Sequence, residues 1–274
     1  MATRSGPADG MVHDLRHVRI DVGDGVGLLT VDRPPANALD LGLVQEIALA
    51  ATRLAQRADV GALVITGAGP RFVAGADIKT MRTLGADEMA RFISGIQRAM
   101  DDIEAVPMPT VAAVNGHAMG GGMELALACD LRLLADGART GLPEVRLGLL
   151  PGAGGTQRLV EVVGKGRALD LLYTGRHLDA AEAVAWGLVT SVHPAESLVD
   201  EAVRLAAGLA GGARSAMSEI KACVLAHLDG GRRAGMRAEA AGIEALFAGP
   251  DAEEGIAAFV EKRAPRFGGH APGP

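Results

Sequence analysis

"TVAAVNGHAMGGGMELALACDLRLLA", residues 110–135, places a short apolar run, a glycine-bearing loop, a helix-like stretch and a second apolar run end to end. Short apolar runs bounded by turn signals read as buried strands. Residues 110–116 and 131–135 are therefore predicted strands, with a helix between them. That helix has two odd features. It opens on three consecutive glycines, although glycine is a poor helix former, and it carries one acid, Glu124, into a segment that is otherwise apolar from Met123 to Cys129.

The same alternation extends in both directions. Upstream, "VRIDVGDGVGLLTV" contains two extended runs around Gly23-Asp24-Gly25, a hairpin signal. Apolar residues at 43, 44, 47 and 54 predict an amphipathic helix over 41–57, "GALVITG" (61–67) a buried strand, and 86–103 another helix. After Leu178 the chain reads as helices only, with Asp179 and Pro194 as start signals and Gly187 and Gly211 as stops. The expected organisation is an unordered start at 1–13, an α/β core at 14–195, a helical region at 196–267 and an unordered tail at 268–274.

Composition narrows the function classes. The 274 residues are 49% apolar but only 3% aromatic, so aliphatic side chains must fill the core and few rings remain to stack on bases. The net charge of -6, with scattered basic residues, argues against a nucleic-acid partner. Cys129 and Cys223 fit reduced thiols better than a disulfide. The first ten residues hold no apolar leader and no stretch is long enough for a membrane span, so a cytoplasmic protein without membrane contact is expected. No Cys/His/Asp/Glu cluster has metal-ligand spacing, and no metal is expected.

Three glycine-bearing loops could carry chemistry: 69–79, 115–124 and 147–159. Glycine lets a backbone approach a ligand and aim bare N–H groups at it, and two such loops face to face can hold an oxyanion. Taken singly, each also serves as a tight connection. Glu124 and Glu144 both sit among apolar neighbours, where desolvation raises a carboxyl pKa. Each has a plain alternative, Glu124 as a first-turn acid favoured by the helix dipole and Glu144 as a surface loop acid. His117, beside the glycine run, is either a general base or a packing residue.

Taken together, "RPPANAL", "AGADIK", "AAVNGHAMGGGMELALACD", "LPEVRLGLLPGAGGTQRL", "TGRHLDAAEAVAWGLV" and "EGIAAFVEKR" resemble the enoyl-CoA hydratase/isomerase (crotonase) family over nearly all of 18–267. The resemblance implies a spiral of ββα units followed by a helical C-terminal region that forms trimers or dimers of trimers. It also implies an acyl-CoA thioester as substrate, with coenzyme A part of that substrate and no separate cofactor. The enolate would be held by the N–H groups of Ala76 and Gly121, each worth about 3 kcal/mol at a transition state. Glu124 would be the base that deprotonates water and Glu144 the acid that protonates Cα, with the Gly152 amide positioning the water. Ala74, Ala76, Asp77, Ile78, Lys79, Gly120 and a neighbouring subunit's Lys262 would contact substrate or CoA.

The second glutamate favours hydratase over Δ3,Δ2-enoyl-CoA isomerase; other family acyl-CoA chemistries, or a non-catalytic acyl-CoA- or RNA-binding role, are the alternatives. Two departures bear on specificity. "RPPANAL" is one residue shorter than the family's "RPKALNAL" and lacks its lysine, and "TGLPE" puts Thr140 and Leu142 where an aromatic residue and an amide are usual.

Overall fold

The structure, a computed structural model, describes residues 15–268. The expected unordered ends, 1–13 and the tail beyond Gly268, lie outside the described residues.

Strands β1 (Val18–Gly23) and β2 (Val26–Val31) form the expected hairpin, antiparallel from Val18↔Val31 to Gly23↔Val26. Its two turn residues, Asp24 and Gly25, both have positive φ (52° and 77°), which matches the twist of the flanking strands. The chain then repeats one unit: a strand of the main sheet, a short extended stretch, and helix. After β2 come residues 36–39 and α1 (Leu41–Ala55), capped by Asp40, whose side chain accepts from the Leu43 amide. After β3 (Ala62–Gly67) come residues 73–76, α2 (Ile78–Met81) and α3 (Ala86–Glu104). After β4 (Thr110–Val114) come β5 (Ala118–Met119) and α4 (Gly121–Leu127). After β6 (Leu131–Ala135) come β7 (Thr140–Gly141), a 3-10 turn (Glu144–Leu147), α5 (Gly155–Val163) and α6 (Lys165–Thr174).

The main sheet has the order β1-β2-β3-β4-β6-β8, where β8 is Ser191–His193, and every pair after the hairpin is parallel. The short stretches pair with each other in a second row, through Leu39↔Ala76, Val73↔Ala118, the β5–β7 ladder and Thr140↔Leu178. This is the predicted spiral of ββα units. Aliphatic side chains and alanine fill the core, joined by the fully buried Phe72.

Two differences from the sequence reading have simple causes. The first half of α5 falls within residues 147–159, read there as a glycine loop, because the glycines of that stretch lie at and before the helix start. β8 follows α7 (Ala180–Ala185) inside a stretch expected to be all helical, and three residues are too few to show a strand period.

Helix α8 (Leu198–Ala210) buries Leu198, Ala202, Ala206 and Ala210, one residue per turn, and lies across the sheet. Helices α9 (Arg214–Gly230) and α10 (Arg232–Phe247) pack chiefly on each other, and α11 (Pro250–Glu261) follows. Ile220, Val224, Ile243, Phe247 and Phe259 are exposed on these last helices. Both cysteines are free, Cys129 buried and Cys223 half-buried. Among the described residues no helix is long and apolar enough to cross a membrane, and no group of acids, histidines and cysteines has a metal-binding arrangement.

Candidate active site

The glycine run begins where the second row of strands meets α4. Gly120 adopts φ 52°, ψ -124° and donates to the Gly141 carbonyl at 2.9 Å. A Cβ on Gly122 would lie 2.0 Å from the Val73 carbonyl oxygen, so the start of α4 can sit against residues 73–76 only without a side chain there. This contact brings two loops together. Leu39 donates to Gly75 and accepts from Asp77, which turns the Ala76 N–H away from the 36–39 stretch. The Ala76 nitrogen is 3.5 Å from where a Gly121 Cβ would stand. Neither the Ala76 nor the Gly121 N–H has an acceptor among the described residues.

One turn into α4, Glu124 is 3% exposed. Its Oε1 accepts from the Ala153 amide at 2.7 Å and the Gly155 amide at 2.9 Å. Burial pushes its pKa up to about 7; the Gly155 amide opposes that rise, the Glu144 charge adds to it, and the Ala153 amide and Arg158 oppose it. Glu144 opens the 3-10 turn after Pro143 and is half-buried. Its Oε2 is buried with no hydrogen-bond partner among the described residues, and burial raises its pKa as well. Thr140 and Leu142 are both buried, and the Thr140 hydroxyl likewise has no partner there, so neither supports Glu144.

Both acids open onto one cavity of about 410 Å³, within the size range of small-ligand sites. Its wall includes Ala74, Ala76, Ile78, Gly120, Gly121 and Gly152, all expected from the sequence. The Gly152 N–H has no acceptor among the described residues. The remaining surface is chiefly apolar, from Met81, Phe92, Ile93, Ile96, Leu149 and Leu150.

Other expected residues stand farther out. Lys79 is exposed on α2, next to Ile78. The Asp77 carboxylate caps α2 through the Thr80 amide and lies 3.5 Å from Arg33. Lys262 is exposed at the end of α11 and is not part of the cavity wall within the chain. His117 is exposed, accepts from the Arg139 amide at 3.0 Å and lies outside the cavity wall. The α3 residues of the wall and the buried Arg158 are not among the candidates from sequence. Their roles depend on α3 packing across the site, which periodicity does not reveal.

The enoyl-CoA hydratase/isomerase family model matches residues 21–270. "Probable enoyl-CoA hydratase echA8" of Mycobacterium tuberculosis is 44% identical over 243 residues, covering 88% of this chain and 94% of that protein. The mitochondrial enoyl-CoA hydratase of Pongo abelii is 39% identical over 243 residues, 88% and 83% of the two chains. The crystal structure of an enoyl-CoA hydratase from Bacillus anthracis superposes with a TM-score of 0.87 at 36% identity, over 93% of this chain and 100% of that one. On both sequence and fold, the chain belongs to the enoyl-CoA hydratase/isomerase (crotonase) family.

Proposed function

We propose that the protein is an enoyl-CoA hydratase, adding water syn across a trans-2-enoyl-CoA to give a 3-hydroxyacyl-CoA. The observation that carries this reading is the presence of two desolvated carboxylates, Glu124 and Glu144, in one apolar cavity beside the unpaired amides of Ala76 and Gly121. The thioester oxygen accepts from those two amides. Ionised Glu124, fixed through Oε1, takes a proton from water. The oxygen of that water bonds to Cβ, and the alkene electrons move into the thioester as an enolate. Protonated Glu144 then delivers its proton to Cα as the enolate collapses. The product leaves with Glu124 protonated and Glu144 ionised, and proton exchange with water resets the pair. The Gly152 amide helps orient the water. An isomerase would need one acid, whereas the raised pKa of Glu144 suits a second proton donor.

The CoA moiety is part of the substrate, and Lys79 near the mouth is its phosphate contact. Lys262 reaches such a phosphate only from another subunit, and the apolar residues exposed on α9–α11 suit a homo-oligomeric contact. The direct test is to incubate the protein with crotonyl-CoA and follow the conjugated enoyl absorbance. Catalysed loss supports the reading; no loss with protein shown to bind CoA thioesters refutes it.

A further inference from the structure

Helix α3 does more than line the cavity. Gln97, Asp101 and Glu104 follow one another four and three residues apart, on one stripe of the helix. Gln97 bonds directly to the loop that holds Glu124, and Asp101 and Glu104 reach it through Arg158. Gln97 Nε2 donates to the Gly152 carbonyl at 2.8 Å. Arg158, on α5 and 7% exposed, donates to Glu104 Oε2 from Nε (3.0 Å) and Nη2 (2.7 Å), and from Nη2 to Asp101 Oδ1 at 2.6 Å. Its Nη1 donates to the Ala153 carbonyl at 3.1 Å. Gly154, at φ 99°, makes room for this, since a Cβ there would lie 2.2 Å from Nη1.

The covalent order gives these contacts their meaning. The Gly152 carbonyl and the Ala153 N–H belong to one peptide unit, so Gln97 bonds to the peptide whose other end donates to Glu124. The Ala153 carbonyl belongs to the next unit, which separates the two peptides whose N–H groups hold Oε1. The loop is thus held from its carbonyl side and presents its N–H side to the acid. Hydrogen bonds in such chains polarise one another.

We propose that Gln97 and Arg158 are positioning residues for Glu124, fixing residues 152–155 so that one carboxylate oxygen is held by two amides and the other is free for the water. This rests on the reading of Glu124 as the base. The charged groups facing Glu124 are Glu144 and Arg158; those facing Arg158 are Asp101, Glu104 and Glu161. A purely structural ion pair would change stability and leave the chemistry of the folded protein untouched.

The test compares full-length Q97A, R158Q and R158K with the unaltered protein, separating kcat from KM for crotonyl-CoA across pH. R158Q should lower kcat about 100-fold, the scale of a misplaced catalytic group. Q97A, whose exposed side chain the fold does not need, should lower it roughly threefold to tenfold, the worth of one hydrogen bond. KM should change little. In R158Q the limb set by Glu124 should move to higher pH, because the Arg158 charge that lowers its pKa is gone. R158K should restore the limb without restoring kcat, because an ammonium cannot fork to both acids and the carbonyl.

Wild-type kcat and limb in Q97A and in folded Arg158 variants would overturn the proposal. A second readout needs no turnover: unfolding measured against pH, with and without E124Q in the R158Q background, reports Glu124 ionisation directly. An upward shift supports the proposal, and no shift refutes it. An unaltered protein inactive on crotonyl-CoA would instead count against the hydratase reading.

Discussion

A Cβ on Gly120 would lie 2.5 Å from Oε1 of Glu144, closer than unbonded atoms approach. Gly120 also holds φ 52°, ψ -124°, a conformation that residues with side chains rarely adopt. Gly120→Ala should therefore displace Glu144 and lower kcat about 100-fold. Steady-state kinetics with crotonyl-CoA checks this; an unchanged kcat would mean that the Glu144 position does not matter to turnover.

The other two glycines of the run should respond differently. At Gly122 the added Cβ meets a backbone oxygen at 2.0 Å, so Gly122→Ala should cost roughly 1–3 kcal/mol of stability, the usual range for overpacking. At Gly121 the nearest atoms are Leu39 Cδ1 at 3.3 Å and the Ala76 nitrogen at 3.5 Å. Gly121→Ala should fold nearly as well, yet lose activity, because its methyl group stands beside the Ala76 amide. Urea midpoints measured beside kcat separate the two cases; equal behaviour of the two variants would contradict this division of roles.

The strand and helix alternation, the hairpin and the two acids were legible in the sequence because each leaves a local mark: an apolar period, a Gly-Asp-Gly turn, a charge in an apolar run. The reasons for "GGG" were not local. Gly122 is required by the Val73 carbonyl and Gly120 by Glu144, contacts made between different turns of the spiral. Arg158 looks like an ordinary helical arginine until α3 brings Asp101 and Glu104 to it. The 153 and 155 amides on Glu124 likewise arise from a loop whose path no periodicity sets.

Stability should carry the signature of Glu124. Its folded pKa, about 7, lies above the ordinary 4.5, so between these values the native state keeps a proton that the unfolded chain has released. Stability from this group is therefore full below pH 4.5 and is lost as pH rises to about 7. The whole span is at most about 3 kcal/mol. E124Q should be destabilised less, or stabilised more, relative to the unaltered protein as pH rises through that window. A stability difference independent of pH would contradict the buried, proton-retaining acid.

Activity should follow a bell in pH. Catalysis needs Glu124 ionised and Glu144 protonated, so kcat/KM should pass through a maximum with both limbs displaced above the ordinary carboxylate range, because burial raises Glu124 to about 7 and Glu144 in the same direction. A profile flat down to the ordinary carboxylate range would show that neither desolvated acid governs the reaction.

The two-carboxylate account is tested most directly by the crotonyl-CoA hydration rates of E124Q and E144Q beside that of the unaltered protein. Each substitution keeps size and removes one proton-transfer group. The account predicts turnover by the unaltered protein and a drop of at least about 100-fold in each variant, the low end for general acid–base catalysis. Near-normal hydration by both variants would contradict it.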